Sequence, residues 1–255
     1  VPASRAWPLM SNVRHFVAMI KKLFSLFRSS SSTPPKAQSD ASPKGDQAPI
    51  ARWLTKDEPD NPFAIDGFDC YGFVSSMLST TKDPGIAKSF VSLRSNDGQA
   101  IRGALPEDHV EISCSLSYEY GGETVDGVLF KSAVMEEKWD IYLYDNRIYF
   151  CRSWTGALTL VAEITPIEKS LQVSRMWASR SEQPTLAIQQ VDYLIKSHLY
   201  RLRVPHPLPL ELQHEPQAIA FYSFSQYGRI CCFGSFESTL GKSTLQNTSP
   251  PQPNA

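Results

Sequence analysis

The chain has 255 residues, 25 Lys/Arg against 26 Asp/Glu for a net charge of −1, and five cysteines. That length buries one full core or two small ones. Residues 1–49 carry seven basic against two acidic side chains and the remainder 18 against 24, so a mildly acidic body excludes nucleic acid as its main partner. An odd cysteine count without a Cys-x-x-Cys pair excludes a disulfide framework and points to a reducing, cytoplasmic setting.

Residues 12–28 place Val13, Phe16, Val17, Ile20, Leu23, Phe24 and Phe27 on one helical face, with Arg14, His15, Lys21, Lys22 and Arg28 largely elsewhere. The run is too short and too charged to span a bilayer and has no signal-peptide core. It is expected to touch a membrane surface through Phe16, Ile20, Lys21, Lys22, Leu23, Phe24 and Phe27, or else to pack on its own domain or on a partner. Residues 29–49 and 239–255 lack large apolar side chains in sufficient number to offset ordering entropy, and are expected to be a disordered linker and tail. The folded unit is then residues 50–238.

Within it, Asp69 is placed to cap a short helix with Cys70, Phe73, Val74, Met77 and Leu78 as apolar positions. Asp83-Pro84 reads as the cap and first position of a second helix. Val110, Ile112, Cys114, Leu116 and Tyr118 alternate with Glu111, Ser113, Ser115 and Ser117, the pattern of a half-buried strand, and Thr124–Phe130 is expected to return beside it. Asp145-Asn146 then turns a hairpin between 139 and 154. Its pairing puts Trp139, Ile141, Leu143, Ile148 and Phe150 on one face, and Asp140, Tyr142, Tyr144, Arg147, Tyr149 and Cys151 on the other.

Leu158–Ile164 alternates again. Pro184 opens a helix over 185–203 with Ile188, Val191, Leu194, Ile195, Leu199 and Leu202 as its stripe. Ala218–Phe224 and Arg229–Phe236 are expected to form a last hairpin. The fold class predicted is α+β: a mainly antiparallel sheet of meander and hairpins with helices packed on one face.

Two sites compete. The three tyrosines with Arg147 have the composition of an interface hot spot, provided the helix covers the aliphatic face and leaves them exposed. Cys70 lies in the first turn of a helix, where unpaired N–H groups stabilise a thiolate, and His109 at the start of a following strand is the imidazole predicted to partner it. The string Phe68-Asp69-Cys70-Tyr71-Gly72-Phe73-Val74 resembles the nucleophile segment of NlpC-type bacterial cell-wall peptidases over about a dozen residues. It departs from them in Tyr71, where that family favours a small serine. The resemblance implies a thiol peptidase with its histidine at Asp108-His109-Val110. The alternative for Cys70 is a buried structural thiol.

His198, His206 and His214 do not match a zinc spacing, so neither metal nor cofactor is expected. Glu136, Glu137, Asp140 and Asp145 read as ordinary charge pairs, and Cys231-Cys232 as strand packing. The sequence therefore predicts a non-enzymatic cytoplasmic binding or regulatory domain that captures an unidentified protein partner through Tyr142, Tyr144, Arg147 and Tyr149. A Cys70/His109 hydrolase is the second reading.

Overall fold

Asp145 and Asn146 both adopt left-handed backbone, at φ 50° and 57°, the conformation that lets a two-residue turn follow the twist of its strands. The turn joins β5 (Trp139–Tyr144) to β6 (Arg147–Arg152) in the predicted register, from Tyr144 opposite Arg147 to Trp139 opposite Arg152. This computed structural model describes residues 52–59, 61, 66–79 and 81–241. The predicted 12–28 helix, with all its proposed membrane-contact residues, and the 29–49 linker lie outside the described residues, as does the tail beyond 241.

The hairpin lies inside a six-stranded antiparallel sheet. Its other strands are β3 (His109–Glu119), β4 (Gly127–Phe130), β7 (Leu158–Ile167) and β8 (Ser170–Ser179), in the order β3-β8-β7-β6-β5-β4. In β3 every predicted outward residue, Glu111, Ser113, Ser115 and Ser117, is exposed. The expectation that the 124–130 segment returns beside β3 is corrected. β4 pairs with β5, and β3 takes β8 as its partner along nearly its whole length. A second sheet orders β1 (Arg52–Leu54), β2 (Gly67–Asp69), β10 (Phe233–Ser235) and β9 (His206–Pro207) as β1-β2-β10-β9, antiparallel except for β10 with β9.

Among the described residues four α-helices accompany the sheets: α1 (Tyr71–Ser76), α2 (Pro84–Leu93), α3 (Pro184–Leu194) and α4 (Pro216–Tyr227). The Asp83 side chain accepts from Gly85 N at 2.7 Å, so α2 is capped where the sequence places its start. α3 gives way to a π-helical turn, Ile195–Leu199, instead of continuing as α-helix to 203. The predicted strand Ala218–Phe224 is part of α4, with Pro216 in its first turn. The aliphatic sheet face, with Ile141, Leu143, Ile148 and Phe150, shares one core with Val191 and Leu194 of α3, Ile219 of α4, and Phe68, Cys70 and Val74 beside the small sheet. α1, α3 and α4 thus share the core that joins the two sheets.

The opposite face is not open. Tyr142, Tyr144 and Tyr149 are 2%, 4% and 0% exposed and pack with Val161, Trp177, Ile101 and Leu105. The segment 97–105 runs over them. Tyr144 Oη donates to Asp97 O at 2.8 Å, Tyr149 Oη accepts from Gly103 N at 2.9 Å, and Tyr142 Oη accepts from Lys131 Nζ at 2.6 Å. Arg147 pairs with Glu163 at 3.5 Å and its guanidinium lies 4.9 Å from the centre of the Trp177 ring. The three tyrosines of the predicted recognition surface are core, which corrects the expectation that they are exposed, whereas Arg147 is half-buried and engaged with Glu163 and Trp177.

Asp140, on that same face, is 1% exposed and accepts from Ser132 N at 2.9 Å and Ser132 Oγ at 3.0 Å, with Lys131 Nζ at 3.1 Å and Arg94 Nη2 at 3.2 Å. It ties the residue just after α2 to the sheet. Asp140→Ala removes the common acceptor and is expected to cost about 3 kcal/mol, at the low end for a broken buried pair, since both cations retain some exposure. The check is a lower urea midpoint at unchanged slope.

Candidate active site

Cys70 is placed by the small sheet. β2 ends at Asp69, Cys70 N donates to Cys232 O at 3.1 Å, and Cys70 then serves as N-cap of α1, with Val74 N bonded to its carbonyl at 2.8 Å. Asp69 Oδ1 accepts from Tyr71 N at 3.1 Å, so the predicted acidic group does hold this helix start, one residue before the cap. Among the donors near the thiol, the Cys70 and Tyr71 N–H groups are therefore already engaged.

His206 lies between Pro205 and Pro207. A residue before proline is driven to extended backbone, which suits the two-residue β9 and its parallel pairing with Gly234 and Ser235. Its ring is wholly buried, 5.7 Å from the Tyr193 ring centre and 4.8 Å from that of Tyr227. Ser223 comes from α4, with its hydroxyl donating back to Ile219 O at 2.8 Å.

These three side chains meet. Cys70 Sγ is 3.3 Å from Ser223 Oγ and 4.0 Å from His206 Nε2, while His206 Nε2 is 2.9 Å from Ser223 Oγ. Because the Ser223 hydrogen goes to Ile219, its oxygen accepts from both neighbours, the thiol and the imidazole N–H. The other ring nitrogen, Nδ1, is buried without a hydrogen-bond partner among the described residues. This places the ring proton on Nε2 in the neutral state, since a bare lone pair is then what remains unsatisfied.

Burial works against a charged sulfur here, but hydrogen bonds from Cys231 and His206, the charge of His206 and the Ser223 contact outweigh it and hold the Cys70 thiol at about 5. Cys231 is as deeply buried beside the same sulfur, and its thiol is pushed well above the ordinary value by burial and then by Cys70. The sulfur that ionises first is thus Cys70.

The cluster has no open surface, with Cys70, His206 and Ser223 all 0% exposed. A cleft of about 190 Å³ reaches its outer wall, lined among others by Tyr71, Tyr193, Arg201, Arg203, Arg229 and Cys231.

His109 is not part of this arrangement. It opens β3 on the edge of the large sheet, paired with Ser179, exposed, with Nδ1 3.0 Å from Pro106 O. The predicted meeting of Cys70 with His109 is not formed, and the histidine beside Cys70 is His206. The sequence signal for His206 is proline on both sides, which fixes an extended histidine. The other described histidines stand apart: His198 packs on the Phe130 ring at 4.9 Å, and His214 is exposed. No group of metal-ligating side chains gathers among the described residues. The carboxylates near the hairpin serve structure. Glu136 accepts from Ser79 N at 2.9 Å, and Asp145 pairs with Arg102. No family description, curated protein or solved structure matches this chain.

Proposed function

We propose that the protein is a thiol-dependent hydrolase of acyl compounds, with Cys70 as nucleophile and His206 as its acid and base. The observation that carries this is the closed triangle of Cys70 Sγ, His206 Nε2 and Ser223 Oγ, with distances of 3.3, 4.0 and 2.9 Å. A nucleophilic thiol and an imidazole within reach of each other are the minimum for covalent acyl transfer. The five free cysteines among the described residues suit the reducing cytoplasmic setting that such a thiol requires. No described helix is long and apolar enough to cross a membrane.

The imidazole takes the thiol proton in its other tautomer, with Nδ1 protonated and the Nε2 lone pair turned to Cys70 Sγ. The thiolate attacks the acyl carbon, the bond to the leaving group breaks, and the imidazolium returns its proton to that group. Water then attacks the thioester while the imidazole takes its proton, and Cys70 departs as thiolate. Ser223 is a positioning residue. Because Cys70 is wholly covered, the substrate gains the sulfur only as the cleft wall at Cys231 and Tyr71 yields.

Iodoacetamide labelling of Cys70, read by peptide mass from pH 4 to 9, tests the reading. The rate should rise through a midpoint near 5, where a free thiol rises near about 8.5. His206→Gln should move the midpoint upward and lower hydrolysis of an activated ester by about 10²–10⁴-fold, and Cys70→Ala should abolish it. A Cys70 that stays unlabelled in the folded protein, or that titrates as a free thiol, defeats the proposal.

A further inference from the structure

Cys70 has a second sulfur beside it. β2 and β10 pair antiparallel with Asp69 opposite Phe233, and the Cys70 N–H continues that ladder to Cys232 O at 3.1 Å. One residue earlier the chain is still in the turn after α4, with Cys231 N on Gly228 O at 3.3 Å. The two neighbouring cysteines therefore part company. Cys231 joins the core that holds Cys70, whereas Cys232 packs in a separate cluster with Leu54 and Phe233. The Cys231 side chain hydrogen-bonds the Cys70 sulfur, both residues are 0% exposed, and both thiols are free.

The two sulfurs are unequal. Cys70 also has Ser223 Oγ at 3.3 Å and His206 Nε2 at 4.0 Å, so it is the one whose charge finds stabilising partners. Cys231 keeps its proton, held by burial and then by Cys70 itself. Burial also pushes the thiols of Cys232 and Cys151 up, to about 11 and about 12. A thiolate in contact with a protonated thiol is the arrangement in which oxidation of the first is trapped by the second. The route in is the cleft of about 190 Å³, where Cys231 forms part of the wall and Cys70 touches that wall from within. A hydroperoxide reacts through two oxygen atoms and needs less opening of the wall than an acyl substrate does.

We propose that Cys70 and Cys231 are a peroxide-sensitive pair that closes to a disulfide and withdraws the nucleophile. The regulation rests on the hydrolase reading, whereas the bond itself does not. First, the Cys70 thiolate attacks the terminal oxygen of a hydroperoxide. An S–O bond forms, the O–O bond breaks, and the His206 imidazolium gives its proton to the departing oxygen. The products are Cys70 sulfenic acid and an alcohol, or water when the oxidant is hydrogen peroxide. Next, the Cys231 sulfur attacks the Cys70 sulfur. The S–S bond forms, the S–O bond breaks, and the Cys231 proton leaves with the hydroxyl as water. The thiol pair loses two electrons and the peroxide gains them. An external dithiol restores both thiols by exchange. Because the resolving thiol is already in contact, closure outruns further oxidation to sulfinic acid.

The test treats the full chain with hydrogen peroxide, blocks the remaining thiols and maps the peptides without reduction. A Cys70–Cys231 cross-link is expected, with iodoacetamide labelling of Cys70 lowered at least about tenfold and restored by dithiothreitol. Cys232→Ala should keep the cross-link, which places it on Cys231 and not on its neighbour. In Cys231→Ala, Cys70 should go on to sulfinic acid, which dithiothreitol does not reverse. A wild-type Cys70 that stays reduced, stops at sulfinic acid or links to Cys232 overturns the pair, and that result needs no variant to fold. Hydrolysis of an activated ester before and after treatment separates the two readings. Loss with the cross-link and recovery with dithiothreitol is the expected result. A cross-link in a chain that hydrolyses no ester establishes the bond and removes the regulation together with the hydrolase reading. Hydrolysis that survives peroxide without a cross-link removes the pair and leaves the hydrolase.

Discussion

Replacing Tyr142, Tyr144 and Tyr149 together with alanine is expected to unfold the domain rather than to free it from a partner. Each ring is almost fully buried, and truncating a buried aromatic costs about 3–5 kcal/mol. Three such losses reach or exceed the about 5–15 kcal/mol that holds an ordinary domain together. The polar tips add to this. Removing Tyr149 strands the Gly103 N–H, and removing Tyr142 takes a partner from Lys131. Tyr149→Phe isolates that last part, keeping the ring while leaving Gly103 N without its acceptor, for about 1 kcal/mol. Near-ultraviolet circular dichroism and urea unfolding decide the matter. A triple-alanine variant with a native transition would return these residues to the surface.

The error behind the surface reading was one of counting faces. The sequence shows correctly that the aliphatic side of the hairpin docks the helices, and its register is correct at every pair. The step from there to an exposed tyrosine side assumed that nothing else could cover it. The cover is an irregular segment, 97–105, in which only Ile101 and Leu105 are apolar anchors. It is held largely by backbone groups bonded to tyrosine hydroxyls. Such a lid has neither a helical nor a strand period, so pattern reading passes over it.

α4 was misread for a related reason. A helix packed on one side leaves a polar stripe that reveals its period. α4 lies between two sheets, and Ala218, Ile219, Ala220, Tyr222, Ser223, Phe224 and Tyr227 are all buried, so its sequence shows no stripe to find. Its aromatic and β-branched content then imitates a strand. The usable signal was Pro216 at a position that opens helices.

The site was half legible. Cys70 is visible because it sits where a strand hands over to a helix, and the chemistry of that position is local. Its partner is 136 residues away and arrives through a parallel pairing of two very short strands, β9 with β10. No local period marks strands of two or three residues, whereas the strand that His109 opens is long and regular and draws the eye. Ser223 is placed beside Cys70 only by a helical 216–227, not by a strand over 218–224.

Gly228→Ala is expected to be among the most damaging single substitutions in the chain, because one turn there sets the position of both Ser223 and Cys231. Gly228 closes α4 with φ 62° and ψ −142°, a region that only glycine occupies without strain. A Cβ at that position would fall 1.7 Å from the Glu136 carbonyl oxygen. Neither partner is a flexible side chain: Arg229 N donates to that same oxygen at 3.1 Å, and Trp139 Nε1 holds Gln226 O at 2.6 Å. The turn must therefore open, carrying the end of α4 away from the large sheet and Cys231 away from Cys70. A loss of more than about 4 kcal/mol is expected. Gly103→Ala is the control. Its φ is also positive, at 77°, but nothing lies within 4 Å of the added carbon, so only the backbone term of about 1 kcal/mol remains. Equal midpoints for the two variants in urea would show that the chain relaxes around Gly228. A much lower midpoint for Gly228→Ala, together with Cys70 labelling that has lost its low-pH midpoint, would show that this turn holds the thiol cluster in place.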